Sequence, residues 1–264
     1  MDLQVSGKLA LVTGSTAGIG LAIGSTLAGE GATVIINGRS EKRVTEAIQK
    51  IQQKQPHAKL EALIGDLSKV EAVKQATNRF PQVDVLINNL GIYEIKSFEN
   101  ISDEDWMAII ETNFMSAVRL SRYYLPKMKA RNWGRIIFIS SESAINIPIE
   151  MIHYGVTKTM QLALARGLAE TTAGTSVTVN AVLPGPTWSE GAEKFVNHMA
   201  KSRNVDPAAA EKEFFETVRP TSLLKRFATT DEVAALVAYV ASPLSSATNG
   251  TALRVDGGVV RSIM

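Results

Sequence analysis

The stretch Thr13-Gly14-Ser15-Thr16-Ala17-Gly18-Ile19-Gly20 decides the fold. An apolar run at residues 8–13 leads into it and a helical pattern at 19–29 leads out, so the glycines mark a tight strand-to-helix turn. Such a turn lets backbone N–H groups approach a pyrophosphate, and the positive end of the helix dipole favours the negative charge. No Lys-Ser/Thr pair follows the last glycine, which excludes a P-loop. A purely structural turn has much the same composition, so the surroundings have to decide.

Those surroundings repeat the unit. Apolar, β-branched runs at 33–37, 59–64, 83–88, 135–140, 176–183 and 251–255 alternate with helical patterns at 41–54, 70–79, 103–129, 151–171 and 231–242. The runs lack strict alternation, as strands covered on both faces require. The expectation is an α/β fold: a doubly wound parallel sheet with helices on both faces, in a single domain over 1–264. Residues 188–220 break the rhythm. Helical patterns at 192–201 and 207–217 within a long connection predict a substrate lid, with a surface insertion as the alternative.

Composition narrows the function. The chain has 264 residues and a formal net charge of +2, with Lys and Arg spread along it, so no nucleic-acid partner is expected. No apolar run approaches the ~18 residues of a membrane helix. Cysteine is absent, which excludes disulfides, thiolate nucleophiles and Cys-zinc sites. His57, His153 and His198 have no metal-ligand spacing, so no metal is expected. His153 reads as a surface residue off the catalytic face. The first residues show neither a basic n-region nor a small-residue cleavage site, which points to the cytoplasm.

Tyr154 and Lys158 stand at i and i+4 of a helical pattern and share one face. A phenol of pKa ~10 is a poor base at neutral pH. A neighbouring ammonium favours the phenolate, and bringing it near ~7 takes about 4 kcal/mol. Ser141 lies thirteen positions earlier, at the C-terminal end of a strand, the edge where open α/β sheets bind ligands. Ser140 points the other way in a regular strand, and Ser143 is the local competitor. Asn113 is a mediocre helix former inside the pattern 103–129, while Trp106 reads as packing.

The spacing Gly14, Gly18, Gly20 is followed in order by Asn88-Asn89-Leu90-Gly91, Ser140-Ser141, Tyr154-Gly-Val-Thr-Lys158, Pro184-Gly185 and the tail 249–258. With these motifs the sequence resembles the short-chain dehydrogenase/reductase family over nearly its whole length, in the branch that contains 3-oxoacyl-carrier-protein reductases. The resemblance implies a Rossmann-type fold and NAD(P)-dependent hydride transfer between a nicotinamide and a small carbonyl or alcohol substrate. It gives Tyr154 the role of general acid/base. Ser141 would orient the substrate oxygen, and Lys158 would lower the phenol's pKa and bond the nicotinamide ribose. Asn113 would hold a water that links Lys158 to solvent.

Cofactor contacts follow by the same resemblance. They are Gly14, Ser15, Thr16, Gly18, Ile19 and Gly20 at the pyrophosphate, with Asp66 and Leu67 on the adenine side, where Asp66 also reads as a helix N-cap. Asn89 and Gly91 lie nearer the ribose, and Pro184, Gly185, Thr187 and Ser189 at the nicotinamide. Leu90 fills a place where the family usually has alanine, and Asn88 belongs to the central sheet. Gly38 stands where NAD-using relatives carry an acidic residue, and Arg39 and Ser40 follow it. NADP is therefore expected over NAD, although Arg39 can also be read as a surface partner of Glu41 or Glu46.

The family commonly pairs long helices, so a homo-oligomer, a homotetramer, is expected. Phe114, Met115, Val118, Leu120, Tyr123, Tyr124 and Leu125 supply an apolar helix for it. An apolar substrate pocket is expected from 143–151 and 188–220, through Ile145, Ile147, Pro148, Ile149, Met151, Trp188, Phe195 and Met199. The alternative is a catalytically silent nucleotide-binding sensor or scaffold, against which the full Asn113, Ser141, Tyr154, Lys158 set argues. A methyltransferase has no need of the Tyr/Lys pair, and an epimerase is usually longer.

Overall fold

The computed structural model describes residues 2–263. In chain order its elements are β1 (Leu9–Val12), α1 (Gly18–Gly29), β2 (Thr33–Gly38), α2 (Glu41–Lys54), β3 (Lys59–Ile64), α3 (Val70–Arg79), β4 (Val85–Asn88), α4 (Asp103–Ile110), α5 (Ser116–Ala130), β5 (Gly134–Ile139), α6 (Ile152–Glu170), β6 (Val177–Pro184), α7 (Glu190–Arg203), α8 (Pro207–Thr217), α9 (Thr230–Ala241) and β7 (Ala252–Val255). The strands form one sheet of order β3-β2-β1-β4-β5-β6-β7, with every pairing parallel. This is the doubly wound fold expected from the alternating pattern.

Alternate strand residues feed opposite faces, as the pleat dictates. Ala10 and Val12 join Val34, Ile36, Ile87 and Ile137 under α1, α2 and α9. Leu11 joins Ile35, Leu86, Ile136 and Phe138 under α3, α5 and α6. The order reverses where β4 pairs on the other side of β1, which opens a crevice at the carboxyl ends of the strands.

The pattern 103–129 is not one continuous helix. Between α4 and α5 the turn Glu111–Met115 widens to π geometry, with Ser116 N–H donating to the Glu111 carbonyl five residues back. The buried Asn113 sits in this turn, a device frequent at functional sites. The oligomer argument from α5 also changes. Leu120, Tyr124 and Leu125 are buried in the chain's own core, so their apolarity serves folding, and Phe114, Met115, Val118 and Tyr123 are half-buried.

Residues 188–220 carry α7 and α8, which close a small core of their own. Val196, Met199, Ala200, Ala210, Phe214 and Phe215 pack there with Phe227, and Phe214 stacks on Phe227 at 5.2 Å. Among the described residues no helix is long and apolar enough to cross a membrane, and no cluster of His, Asp and Glu could hold a metal ion.

Candidate active site

The glycine turn is locked to its neighbours by side chains. Gly14 and Gly18 have φ of +62° and +56°, left-handed values that favour glycine. A Cβ on Gly20 would stand 2.5 Å from Asn89 Nδ2 and 2.6 Å from the Gly14 carbonyl. Asn89 Nδ2 donates to the carbonyls of Thr13 at 2.9 Å and Gly14 at 3.0 Å, and Thr13 Oγ1 accepts from the N–H groups of Asn89 and Leu90, both at 2.9 Å.

Ser15 is a correction to the expected cofactor contacts. It is fully buried; its hydroxyl donates to the Val12 carbonyl at 2.7 Å and accepts from Asn37 N–H at 2.9 Å, and its own N–H is spent on the Asn37 carbonyl. It braces the turn. The first turn of α1 carries no side-chain cap and no acidic residue, so its N–H groups face a cleft of about 250 Å³ lined by Gly14, Gly18, Ile19, Gly20, Leu90 and Gly91. Open helix N–H donors in a cleft rich in glycine fit the pyrophosphate of a dinucleotide.

Other expected contacts divide between cleft and scaffold. Thr187 and Ser189 line both this cleft and the larger cavity beside it, which Pro184 and Gly185 also reach. Ser189 additionally caps α7, accepting from Ala192 N–H at 3.3 Å, and Ser40 caps α2. Leu67 is buried in the core, so its side chain is not open to a ligand. Asp66 is not the cap of α3, which begins after Lys69; its carboxylate accepts from Ser68 N–H at 3.1 Å and Ser68 Oγ at 2.7 Å. Arg39 is exposed at the end of β2. No ion pair among the described residues engages it, and Glu46 faces Lys42 instead. A Cβ on Gly38 would meet Thr16 Cγ2 at 2.4 Å, so Thr16 itself keeps a carboxylate out of that place.

Ser141, Tyr154 and Lys158 come together at the end of β5 and the start of α6. Burial pushes the Tyr154 phenol up to about 12, while a hydrogen bond with Ser141 works to lower it. Burial brings the Lys158 ammonium down to about 8. The phenol is thus not near neutrality as the sequence reading expects. Lys158 Nζ donates to the Ile139 carbonyl at 2.9 Å and lies 5.5 Å from the Tyr154 ring centroid, and burial is the dominant influence on the phenol. Ser140 faces the other way and donates to the Lys158 carbonyl at 2.9 Å, which anchors α6 to β5. Ser143 serves the turn, its N–H donating to Ser141 Oγ at 3.1 Å.

The Asn113 side chain is held within the protein. Its Oδ1 accepts from Ile92 N–H at 2.8 Å, and its Nδ2 donates to the Ile92 carbonyl at 2.9 Å and to Thr157 Oγ1 at 3.0 Å. The link to Lys158 runs through a residue the sequence reading missed. Gln161 is fully buried; its Nε2 donates to the Asn113 carbonyl at 2.6 Å, and its Oε1 accepts from Lys158 Nζ at a long 3.5 Å. The signal was present, since Gln161 follows Lys158 by three positions and shares its helix face. His153 is likewise not a surface residue. It is 1% exposed, its ring meets Trp106 edge-on at 5.9 Å, and burial lowers its pKa.

The cavity lined by Ser141 and Tyr154 measures about 810 Å³. Ile149, Met151, Phe195 and Met199 line it as expected, but Ile145, Ile147, Pro148 and Trp188 do not, and Glu142, Glu150 and Arg219 give it a polar side. Trp188 packs edge-on against Phe227 at 5.4 Å.

A glycine cradle and a Ser-Tyr-Lys cluster meeting at the switch point of a parallel sheet define an NAD(P)-dependent oxidoreductase. The short chain dehydrogenase family model matches residues 8–200, and the chain belongs to that family. It is 48% identical to the uncharacterized oxidoreductase YvaG of Bacillus subtilis (strain 168) over the full length of both chains. It is 31% identical to the 3-oxoacyl-[acyl-carrier-protein] reductase FabG of Aquifex aeolicus (strain VF5), covering 98% of this chain and 100% of the relative. In structure it is similar to L-sorbose reductase from Gluconobacter frateurii complexed with NADPH and L-sorbose, with a TM-score of 0.92, 29% identity and full coverage of both chains.

Proposed function

We propose that the protein is an NADPH-preferring reductase of a small carbonyl compound, with Tyr154 as proton donor, Ser141 as the group that orients the carbonyl oxygen and Lys158 as a contact to the nicotinamide ribose. The observation that carries this is the Tyr154 phenol, held neutral by burial beside Ser141 in the cavity wall. A bound NADPH supplies the hydride. Tyr154 Oη would give its proton to the substrate oxygen as negative charge develops there. Gly14, Gly18 and Gly20 would hold the pyrophosphate, with Arg39 at the 2′-phosphate. Cytoplasmic residence belongs to the same reading, since the reaction consumes a cofactor that the cell has to regenerate. The test is a fluorescence titration with NADPH followed by NADPH oxidation across a carbonyl panel. Absence of binding or of any turnover overturns the reading.

Gln161 acts here as a positioning residue that supports the charge of Lys158. Replacing it with leucine removes an acceptor from the ammonium, which lowers the Lys158 pKa. The alkaline limb of the kcat/KM profile is expected to move to lower pH by about one unit or less. Gln161→Glu should move the limb back up. A profile unchanged in both variants counts against the role.

The segment 188–220 is proposed as a lid because it forms one cavity wall through Phe195 and Met199 and rests on its own small core. Amide hydrogen exchange in α7 and α8 is expected to be fast in the free protein and slowed by cofactor and substrate. Protection already maximal in the free protein indicates a rigid wall. A homotetramer is proposed from the family's habit of pairing long helices, with Phe114, Met115, Val118 and Tyr123 as the half-buried residues of the paired face. Sedimentation at micromolar concentration is expected to give four chains, and a single-chain mass overturns it.

A further inference from the structure

The polar side of the catalytic cavity is built, not incidental. Glu142 follows Ser141 directly and is 2% exposed, and Arg219, at the far end of the lid segment, is 8% exposed. Arg219 Nε donates to Glu142 Oε1 at 3.0 Å, and Ser143 Oγ donates to the same oxygen at 3.2 Å. Arg219 Nη1 is taken by Glu150 Oε1 at 3.4 Å and the Val218 carbonyl at 3.0 Å. Glu142 Oε2, though buried, has no hydrogen-bond partner. All three charged residues line the cavity that holds Ser141 and Tyr154.

We infer that Glu142 and Arg219 form a hydroxyl-recognition site, and that the substrate is a neutral α-hydroxy or polyhydroxy ketone. This rests on the reductase reading and names its substrate class. A buried carboxylate oxygen left without a donor is destabilising; a small turn of the Glu142 side chain, which lines the cavity, would bring Oε2 to the wall, where a substrate O–H would supply that donor beside the Arg219 guanidinium. Ser141 and Glu142 line the same cavity, so a small substrate whose carbonyl oxygen meets Ser141 would present its neighbouring groups to Glu142. An alkyl ketone leaves Oε2 unsatisfied. A keto acid brings its carboxylate against two glutamates that share one arginine, which like-charge repulsion disfavours.

The test uses three ketones of equal heavy-atom count, 3-pentanone, 1-hydroxy-2-butanone and 1,3-dihydroxyacetone, with acetoacetate as the anionic arm, all read by NADPH oxidation. Sites that hydrogen-bond a substrate hydroxyl reject the analogue lacking it strongly, so kcat/KM is expected to rise by about 10²-fold or more from 3-pentanone to the better hydroxy ketone. In Glu142→Gln, checked for folding by NADPH binding, that ratio should fall to within about tenfold. If 3-pentanone or acetoacetate is turned over as well as the hydroxy ketones, or if the ratio survives in Glu142→Gln, the site is not a hydroxyl reader. Turnover of 3-pentanone or acetoacetate leaves the reductase reading intact, whereas turnover of none of the four overturns this inference, and the reductase reading then stands or falls on NADPH binding and the wider carbonyl panel.

Discussion

In Tyr154→Phe, kcat is expected to fall by more than ~10²-fold while NADPH still binds with near wild-type affinity. The phenylalanine ring keeps the packing against Tyr93, whose centroid lies 6.0 Å away, and removes only the hydroxyl. A positioned proton donor contributes roughly 10²–10⁴-fold, and Tyr154 is the group with a transferable proton closest in role to the reacting oxygen. Its phenol, pushed up to about 12, is protonated across the working pH range, so reduction should not lose its donor until the medium is strongly alkaline. The cofactor cradle, made from the glycine turn and Asn89, does not involve this hydroxyl. Single-turnover kinetics with saturating NADPH separates the two effects. A Phe variant that keeps near-normal kcat on any substrate of the wild type removes Tyr154 from the chemistry.

Arg39→Ala is expected to erase most of a preference for NADPH over NADH that amounts to roughly ten- to a hundredfold in the wild type, in line with the ~1.5–3 kcal/mol of a charge-assisted hydrogen bond. Two observations support the wild-type preference. Arg39 is exposed and engaged in no ion pair among the described residues. Gly38 is backed so closely by Thr16 that a side chain there would collide, which removes the carboxylate that reads a free ribose hydroxyl. The measurement is kcat/KM for each cofactor in wild type and variant. A wild-type ratio favouring NADH, or a ratio indifferent to Arg39, overturns the assignment.

Much of the fold was legible because its determinants are local. Apolar runs of strand length separated by helical periodicity admit few arrangements other than a parallel sheet covered on both faces, and α2, α3, β3 and α8 begin and end where the pattern does. Tyr154 and Lys158 were legible because helical spacing alone puts them on one face. Asn113 could be singled out but not explained. Its π-type turn depends on Ile92 and Thr157, residues 21 and 44 positions away, and no local preference reports such partners. His153 was misread for a similar reason. A polar residue beside a catalytic tyrosine has no periodicity of its own, and only the packing of Trp106 makes it a core residue.

The apolar pocket shows the division most clearly. The sequence by itself singled out the glycine turn, the order of motifs along the sheet's carboxyl edge and the set Ser141, Tyr154 and Lys158, the turn through its backbone demands and the set through helical spacing together with the family's motif order. Only the tertiary structure decided which side chains line the cavity beside Ser141 and Tyr154. Glu142 and Arg219 are 77 positions apart, one at the end of a strand and one beyond the last helix of the lid. Nothing in either segment announces the other. Their meeting depends on the placement of residues 188–220, whose helices share a small core through Phe214, Phe215 and Phe227.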